Sequence, residues 1–280
     1  MIRRPIARAL TIGGSDPTGG AGIQQDLRTF STLGVWGLSA ITAVTVQSTT
    51  GVSAVAGIDP ETVEAQIGAV AVDLGVDAAK TGMLGSADVV CAVARAVRDN
   101  GIAQLVVDPV MAATSGGTLL AEDAVQALVA ELLPLAMLVT PNAGEAERLT
   151  GVSVDSISSQ IEAAVALRAR SATAVLVKGG HVGGARPVDV LVDANGEVHE
   201  FTGVWVDTPN THGTGCVLSA AIVAGLATGL GLVASVGRAK GVVTRALEHS
   251  LGLGAGPGPV CPVPEVPEGG SWPFAGHPFE

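Results

Sequence analysis

Short apolar runs alternate with longer segments of helical periodicity along most of this 280-residue chain. Such runs, rich in Val, Ile, Leu and Ala, are typical of strands that are buried on both faces of a sheet. We therefore predict strands at residues 7–12, 38–46, 104–107, 136–140 and 173–177. The alternation predicts an α/β fold with three layers (α/β/α), in which helices cover both faces of a mostly parallel central sheet.

The segments between these strands carry apolar residues three and four positions apart, as the buried face of a helix requires. Ile23, Leu27, Phe30 and Leu33 form one such stripe, and Gly34 follows as a C-terminal cap. Further helices are predicted at about residues 90–97, 121–133, 156–170, 215–229 and 234–250.

One interruption of the alternation predicts an edge of the sheet. Residues 188–192 and 197–201 flank Asn195-Gly196, a strong hairpin turn signal, so an antiparallel hairpin is expected there. After Gly252, Gly and Pro dominate and the periodicity stops. No repeat or linker divides the chain, so we predict one domain over residues 1–261 and a Pro/Gly-rich tail over residues 262–280.

Net charge limits the macromolecules that this protein can bind, and cysteine content indicates its cellular compartment. The formal net charge of −11 argues against nucleic acid and anionic membranes as partners, although a pocket can be locally positive. Cys91, Cys216 and Cys261 are odd in number and far apart in sequence, so we expect neither a disulfide framework nor a CxxC metal pair. The first residues lead directly into a strand pattern, and the longest apolar stretch, 216–232, is interrupted by Gly, Ser and Thr. We expect a cytoplasmic protein that does not cross a membrane.

The segment Asn-Thr-His-Gly-Thr-Gly-Cys at 210–216 precedes a predicted helix. Backbone N–H groups of Gly213, Thr214 and Gly215 at a helix N-terminus would converge on an anion such as a transferring phosphoryl group. The same helix end is expected to lower the pKa of the Cys216 thiol from about 8.5, so that a thiolate accepts a proton from an alcohol. The alternative is a glycine-rich turn followed by a buried structural cysteine.

A second glycine-rich loop, at 13–22, follows the first predicted strand. Its spacing is not that of a dinucleotide-binding loop, and the chain has no GxxxxGK[ST] phosphate loop. The loop is nevertheless suited to close approach of backbone to a small ligand. Asp26 lies just beyond it, and its alternative role is charge compensation at a helix start.

Seven motifs in order resemble those of the hydroxymethylpyrimidine/phosphomethylpyrimidine kinases of thiamine biosynthesis, within the ribokinase-like superfamily. They are GGSDPTGGAGIQQDL at 13–27, VQS at 46–48, KTGML at 80–84, DPVM at 108–111, TPNAGE at 140–145, VKGGH at 177–181 and NTHGTGC at 210–216. The resemblance covers roughly residues 8–260. It implies a ribokinase-like fold and ATP-dependent phosphorylation of 4-amino-5-hydroxymethyl-2-methylpyrimidine to its monophosphate and then to the diphosphate.

The resemblance also implies roles for individual residues. Asp26 and Gln47 match residues that hydrogen-bond the aminopyrimidine, and an amide both donates and accepts. The ring-packing positions are Ala21, Met83 and Val110. For the phosphate-binding side, the resemblance implies that Gly213, Thr214 and Gly215 form the anion hole and that Cys216 is the base. It also implies that ATP is bound by Lys178, Thr211 and Asn142. The implied cofactor is Mg²⁺, held by Glu145, Asn142 and Asp108.

Several alternatives stay open at this point. Pyridoxal is another hydroxymethyl heteroaromatic, so a pyridoxal-type kinase is the nearest alternative, and a non-catalytic pyrimidine sensor is one from another class. His181 and His212 are expected to be hydrogen-bonded loop residues rather than catalysts. Asp108 also fits a turn residue before Pro109, and residues 112–117 suit a lid that excludes water. A homodimer is implied only by the resemblance.

Overall fold

The computed structural model describes residues 6–111, 121–170, 174–180, 182 and 186–263. Within these residues the strands are β1 (Arg8–Ser15), β2 (Trp36–Ser48), β3 (Gly51–Gly57), β4 (Ala78–Thr81), β5 (Leu105–Val107), β6 (Leu138–Val139), β7 (Ala174–Val177), β8 (Val188–Val192) and β9 (Val198–Thr202). The helices are α1 (Gly22–Thr32), α2 (Pro60–Asp73), α3 (Ala87–Asp99), α4 (Glu122–Ala127), α5 (Ala143–Thr150), α6 (Ile157–Arg168), α7 (Thr214–Ala227) and α8 (Leu232–Glu248). After α4 the chain continues through a π-helical turn and a 3₁₀ turn to Leu135.

All these strands join one sheet in the order β3-β2-β1-β4-β5-β6-β7-β8-β9. The pairs from β2 through β7 are parallel, whereas β3 and the β8–β9 hairpin add antiparallel strands at the two edges. The predicted hairpin at an edge is confirmed. Its turn is closed by Asp193 Oδ1, which accepts the N–H groups of Asn195 and Glu197 at 2.9 Å.

Two aliphatic cores lie on opposite faces of the sheet, which confirms the predicted three layers. One core packs α2, α3, α4, α5 and α6 on the sheet, and the other packs α1, α7 and α8. Successive residues of a strand alternate between them: Leu10 and Ile12 face the first core, and Ala9 faces the second. Phe30 is the one aromatic residue among the fully buried large side chains of the described chain.

Most predicted elements are present with ends shifted by a few residues, but four elements were not predicted: β3, β4, α2 and α5. In β4 the buried Lys80 breaks the apolar run that would indicate a strand. In α2 only Val63 and Ile67 are buried, so its apolar stripe is weak. The predicted lid at 112–117 and residues 264–280 of the predicted tail lie outside the described residues.

The carboxyl ends of the parallel strands β1, β4, β5, β6 and β7 lie on the same side of the sheet, and the loops that follow them carry most of the predicted site residues. Open α/β sheets bind ligands at the carboxyl ends of their strands. Among the residues that the structure describes, no helix is both long and apolar enough to span a membrane.

Candidate active site

The start of α7 is built by glycines that lie against the loop after β1. Gly213 has φ +88°, a conformation that favours glycine, and a Cβ there would collide with the carbonyl oxygen of Gly20. A Cβ at Gly20 would in turn lie 2.5 Å from His212 Cδ2. The two glycine-rich loops noted in the sequence therefore contact each other directly at the start of α7.

Three charged side chains meet beside this helix start. Lys178 Nζ lies 2.9 Å from Asp108 Oδ1 and 3.9 Å from Glu145 Oε2. Asp108 follows β5 and Lys178 follows β7, so the sheet itself brings them together. A Cβ on Gly215 would stand 3.7 Å from Lys178 Nζ and 3.8 Å from Asp108 Oδ2. The Lys178 ammonium, with its two carboxylate neighbours, thus lies directly beside the helix start.

Burial and the neighbouring charges act against each other in this cluster. Burial would lower the pKa of Lys178, but Asp108 and Glu145 outweigh it, so the pKa is raised and the ammonium stays charged. Burial, assisted by Asp108, raises the pKa of Glu145 even though Lys178 opposes it. Ser219 of α7 places its hydroxyl 3.2 Å from Asp108 Oδ2 and 3.0 Å from Gly215 O, so this carboxylate also contacts the helix. Sequence reasoning missed Ser219.

Asn142 and Glu145 form a capping box at the start of α5. Asn142 Oδ1 accepts the N–H of Glu145 at 2.9 Å, and Glu145 Oε2 accepts the N–H of Asn142 at 2.8 Å. The NxxE spacing therefore has a structural use, which also fixes the Glu145 carboxylate within reach of Lys178. Thr211 is exposed, and its carbonyl accepts the N–H of Thr214 at 3.3 Å.

Asp26 and Lys80 form a buried ion pair. Lys80 Nζ donates to Asp26 Oδ1 at 2.8 Å, and Thr11 Oγ1 donates to Asp26 Oδ2 at 2.6 Å. Both ionic side chains are at most 2% exposed. Burial would lower the pKa of Lys80, but Asp26 and the other nearby anionic groups raise it. Both oxygens of Asp26 thus accept hydrogen bonds from protein donors. Lys80 belongs to one of the seven motifs, but sequence reasoning did not identify it as the partner of Asp26.

Cys216 lies in the first turn of α7, half-buried. Burial raises the pKa of its thiol to about 11; Lys80 works in the opposite direction, and Asp26 and Asp108 add to the increase. The expectation that the helix end lowers this pKa is therefore wrong. Desolvation and two buried carboxylates outweigh the helix dipole, and neither was visible from the sequence.

Gln47 lies near the end of β2, half-buried, and faces the ring of His212. Its Nε2 is 3.5 Å from His212 Nε2, which in turn lies 3.0 Å from Asp16 Oδ2. His212 is 6% exposed and is hydrogen-bonded, as expected of a loop histidine. His181 lies outside the described residues.

The three predicted ring-packing residues, Ala21, Met83 and Val110, follow β1, β4 and β5 respectively. Ala21 precedes α1 and donates its N–H to Asp16 Oδ2 at 2.9 Å. Met83 follows β4, where its side chain contacts the backbone of Gly14 closely enough that a Cβ there would be 2.9 Å from Met83 Cε. Val110 is half-buried two residues after Asp108.

Comparison with known proteins gives consistent results. A hydroxymethylpyrimidine/phosphomethylpyrimidine kinase of Rhizobium meliloti is 49% identical over 257 residues, covering 91% of this chain and 96% of the relative. Among solved structures, a pyridoxal kinase of Bacillus subtilis in an ADP complex superposes with a TM-score of 0.85 at 36% identity, covering 92% of this chain and 97% of that one. A phosphomethylpyrimidine kinase of Clostridium difficile gives 0.77 at 37%, covering 86% and 99%.

The family comparison covers the site and almost the whole described chain. Residues 16–261 match the family model described as phosphomethylpyrimidine kinase. The resemblance drawn from seven motifs is confirmed, as is the ribokinase-like fold shared with the solved kinases. The chain belongs to the phosphomethylpyrimidine kinase family.

Proposed function

We propose that this protein transfers the terminal phosphate of ATP to the hydroxymethyl group of 4-amino-5-hydroxymethyl-2-methylpyrimidine, and then phosphorylates the monophosphate to the diphosphate. Kinase activity in thiamine biosynthesis follows from its family. The observation that carries the substrate assignment is the position of Gln47, whose amide lies 3.5 Å from the ring of His212, two residues before the start of α7. We assign the activity to one kinase domain over residues 1–261.

The phosphate side of the site uses Lys178 and the helix start. The Lys178 ammonium is a mobile point charge that can follow the transferred group. N–H groups of Gly213, Thr214 and Gly215 are proposed to stabilise the charge on its oxygens. In the resting protein Lys178 is paired with Asp108. Because an ammonium has three N–H donors and Asp108 accepts one of them, Lys178 can contact phosphate while it keeps this pair. Thr211 and Asn142 are proposed to contact the nucleotide.

The cluster around Lys178 fits a magnesium ion. Asp108 and Glu145 offer two carboxylates against a single ammonium, and Mg²⁺ prefers such hard oxygen ligands. The side-chain oxygen Oδ1 of Asn142 already accepts the Glu145 N–H, so it has one remaining lone pair for a ligand. When bound, the ion would neutralise charge on the phosphate oxygens.

The pyrimidine side is proposed to use Gln47 for the polar edge of the ring, with Ala21, Met83 and Val110 around it. Asp26 was expected to bond the ring directly. Because Lys80 and Thr11 engage both of its oxygens, its contact with a ligand has to use a remaining lone pair. The hydroxyl oxygen then bonds to the terminal phosphorus as the bond to the ADP oxygen breaks, and Cys216 as a thiolate takes the hydroxyl proton.

A pyridoxal kinase is the second candidate, because the B. subtilis pyridoxal kinase covers 92% of this chain at a TM-score of 0.85. The test measures ADP release with ATP and Mg²⁺ and either hydroxymethylpyrimidine or pyridoxal as acceptor. We expect the pyrimidine to react much faster. Comparable or faster turnover of pyridoxal would overturn the substrate assignment, and no ADP release with either would support a sensor.

We extend the proposal to a homodimer that acts in the cytoplasm. On one face of the β2–β3 ribbon, Val44 pairs with Ala56 and Val46 pairs with Ala54, and all four are exposed. Val44 and Val46 are 46% and 60% exposed, so the ribbon presents an apolar strip suited to a second copy. The three cysteines are free thiols, which suits a reducing compartment.

A further inference from the structure

His212 contacts three segments of the chain: the loop after β1, the end of β2 and residues 258–260. Its ring Nε2 contacts Asp16 of the loop after β1 at 3.0 Å and is 3.5 Å from the amide of Gln47 on β2. Its backbone is held by the C-terminal segment: its N–H donates to Gly258 O at 3.1 Å, and its carbonyl accepts from Val260 N at 3.0 Å. The backbone of His212 is therefore held by the C-terminal segment, and its ring lies between the loop after β1 and the end of β2.

The partners of Asp16 determine where the hydrogen of this ring lies. Oδ1 of Asp16 accepts the N–H of Thr18, and Oδ2 accepts the hydroxyl of Thr18 and the N–H of Ala21, each at 2.9 Å. Burial would raise the pKa of Asp16, but the bonds from His212 and Thr18 lower it. An ionised carboxylate only accepts, so His212 Nε2 must carry a hydrogen and donate it.

This assignment fixes the Gln47 amide. If His212 Nε2 carries a hydrogen, the amide nitrogen of Gln47 cannot donate to it. Asp16 accepts that single hydrogen at 3.0 Å, so after a half-turn of the amide Gln47 Oε1, 3.5 Å away, accepts the weaker arm of a three-centre bond. The other end of the amide lies 3.3 Å from Thr45 Oγ1. Thr45 gives its single hydroxyl hydrogen to Ser15 O at 3.0 Å, so it is free to accept from the Gln47 NH₂ group.

We propose that His212 is a positioning residue that selects the substrate through Gln47. Its Nε2–H, whose main acceptor is Asp16, attracts Oε1 of the amide rather than its NH₂ group, so that one N–H donor and one carbonyl lone pair of Gln47 remain for a ligand. A ring nitrogen next to an amino group needs this donor–acceptor pair, and pyridoxal has no such amino group. The inference rests on the proposed function, because it requires Gln47 to contact the pyrimidine.

A double-mutant cycle between His212→Phe and Gln47→Met tests the proposal. Calorimetry would give the Kd of hydroxymethylpyrimidine and of a non-hydrolysable ATP analogue for all four proteins. We expect each single change to weaken pyrimidine binding roughly tenfold and the double variant to be no weaker than Gln47→Met alone. ATP-analogue affinity should change by less than about twofold.

Two further variants separate positioning from general stability. His212→Gln keeps an N–H donor near the position of Nε2 and should recover most of the pyrimidine affinity. His199→Phe is the matched control, since His199 also contacts an aspartate, Asp193 at 3.2 Å, but lies on the β8–β9 hairpin. It should leave both Kd values unchanged. If His212→Phe does not fold, Asp16→Asn replaces it in the cycle with the same expected non-additivity.

The outcomes are distinguishable from a failure of the proposed function. Additive losses in the cycle, or equal loss of ATP-analogue affinity, would overturn the positioning role while leaving the kinase assignment intact. A wild-type protein that neither binds hydroxymethylpyrimidine nor releases ADP with it would refute the proposed function itself, and the inference with it.

Discussion

Lys80 Nζ and Asp26 Oδ1 are 2.8 Å apart in an ion pair that is almost completely closed to solvent. The pair links β4 to α1 beneath the start of α7. Two charges removed from water stabilise a fold only while each has its partner, because a single buried charge keeps its full desolvation penalty. The pair therefore makes both residues structural as well as candidate site residues.

We expect Lys80→Met to lower the free energy of unfolding by about 3–5 kcal/mol, because it leaves the Asp26 carboxylate buried without a countercharge. Adding Asp26→Asn should restore part of the loss. Urea unfolding followed by circular dichroism measures both effects. Arg95→Met is the control: its pair with Glu64 has the same 2.8 Å distance but is exposed, so less than about 1 kcal/mol should be lost. Equal losses in the two variants would contradict the prediction.

The second prediction concerns turnover and Cys216. With a thiol pKa of about 11, the thiolate fraction rises about tenfold per pH unit near neutrality. If the thiolate is the base, kcat should increase with pH from about 7 to 9, and Cys216→Ala should lower it roughly 10²–10⁴-fold. Cys216→Asp should recover some activity and flatten the profile, because a carboxylate is already ionised. Full activity in the alanine variant would remove Cys216 from the mechanism.

Alkylation gives an independent measurement of the same thiol. Because burial raises its pKa, Cys216 should react slowly with iodoacetamide at pH 7 and faster as the pH rises. Bound ATP and pyrimidine should protect it. Mass spectrometry of Cys91, Cys216 and Cys261 in one sample supplies the internal comparison. Rapid labelling of Cys216 at neutral pH would mean that the thiol is not desolvated.

The third prediction is an acid-dependent loss of stability through Asp16. Its pKa lies below the ordinary 3.8, because the bonds from His212 and Thr18 outweigh burial. A group with a lowered pKa contributes stability that is present above 3.8 and is lost as the pH falls through the folded-state value. Asp16→Asn should therefore lower Tm at pH 6 and show a shallower decline of Tm below about pH 4. Parallel Tm curves for the two proteins would contradict this.

The fourth prediction tests the apolar strip on the β2–β3 ribbon. Val46→Glu introduces a desolvated charge if a second copy covers the strip, so the dimer should dissociate. Sedimentation equilibrium measures the mass. Val72→Glu is the control, since Val72 is 84% exposed but belongs to α2 and not to the strip, and its replacement should not change the mass. A wild-type monomer, or a dimer that tolerates Val46→Glu, would refute this interface.

Apolar runs were sufficient to predict the central strands, because β1, β5 and β7 are buried on both faces and carry few polar residues. The same rule could not find β3, of which five of the seven residues are exposed. It could not find β4 either, because a strand that contains a buried lysine is recognisable only once its partner on α1 is known.

The candidate site was predictable where its residues follow strands and not where they depend on distant partners. Asp108 and Lys178 each follow a predicted strand, so their proximity follows from a parallel sheet. The link from Asp16 to His212 joins residues 196 positions apart and appears only in three dimensions. The raised pKa of Cys216 has the same origin, because it depends on how deeply the folded chain buries the thiol.

The segment after α8 affects the order in which the sheet and the site form during synthesis. Gly256 donates to Thr49 Oγ1 at 3.1 Å, Gly258 donates to Asn210 Oδ1 at 3.0 Å, and Val260 bonds the backbone of His212. The loop that leads into α7 is thus braced by residues translated some fifty positions after it. A nascent chain that has completed its sheet still lacks these contacts, so we expect the sheet to fold first and the site loop to be fixed after it.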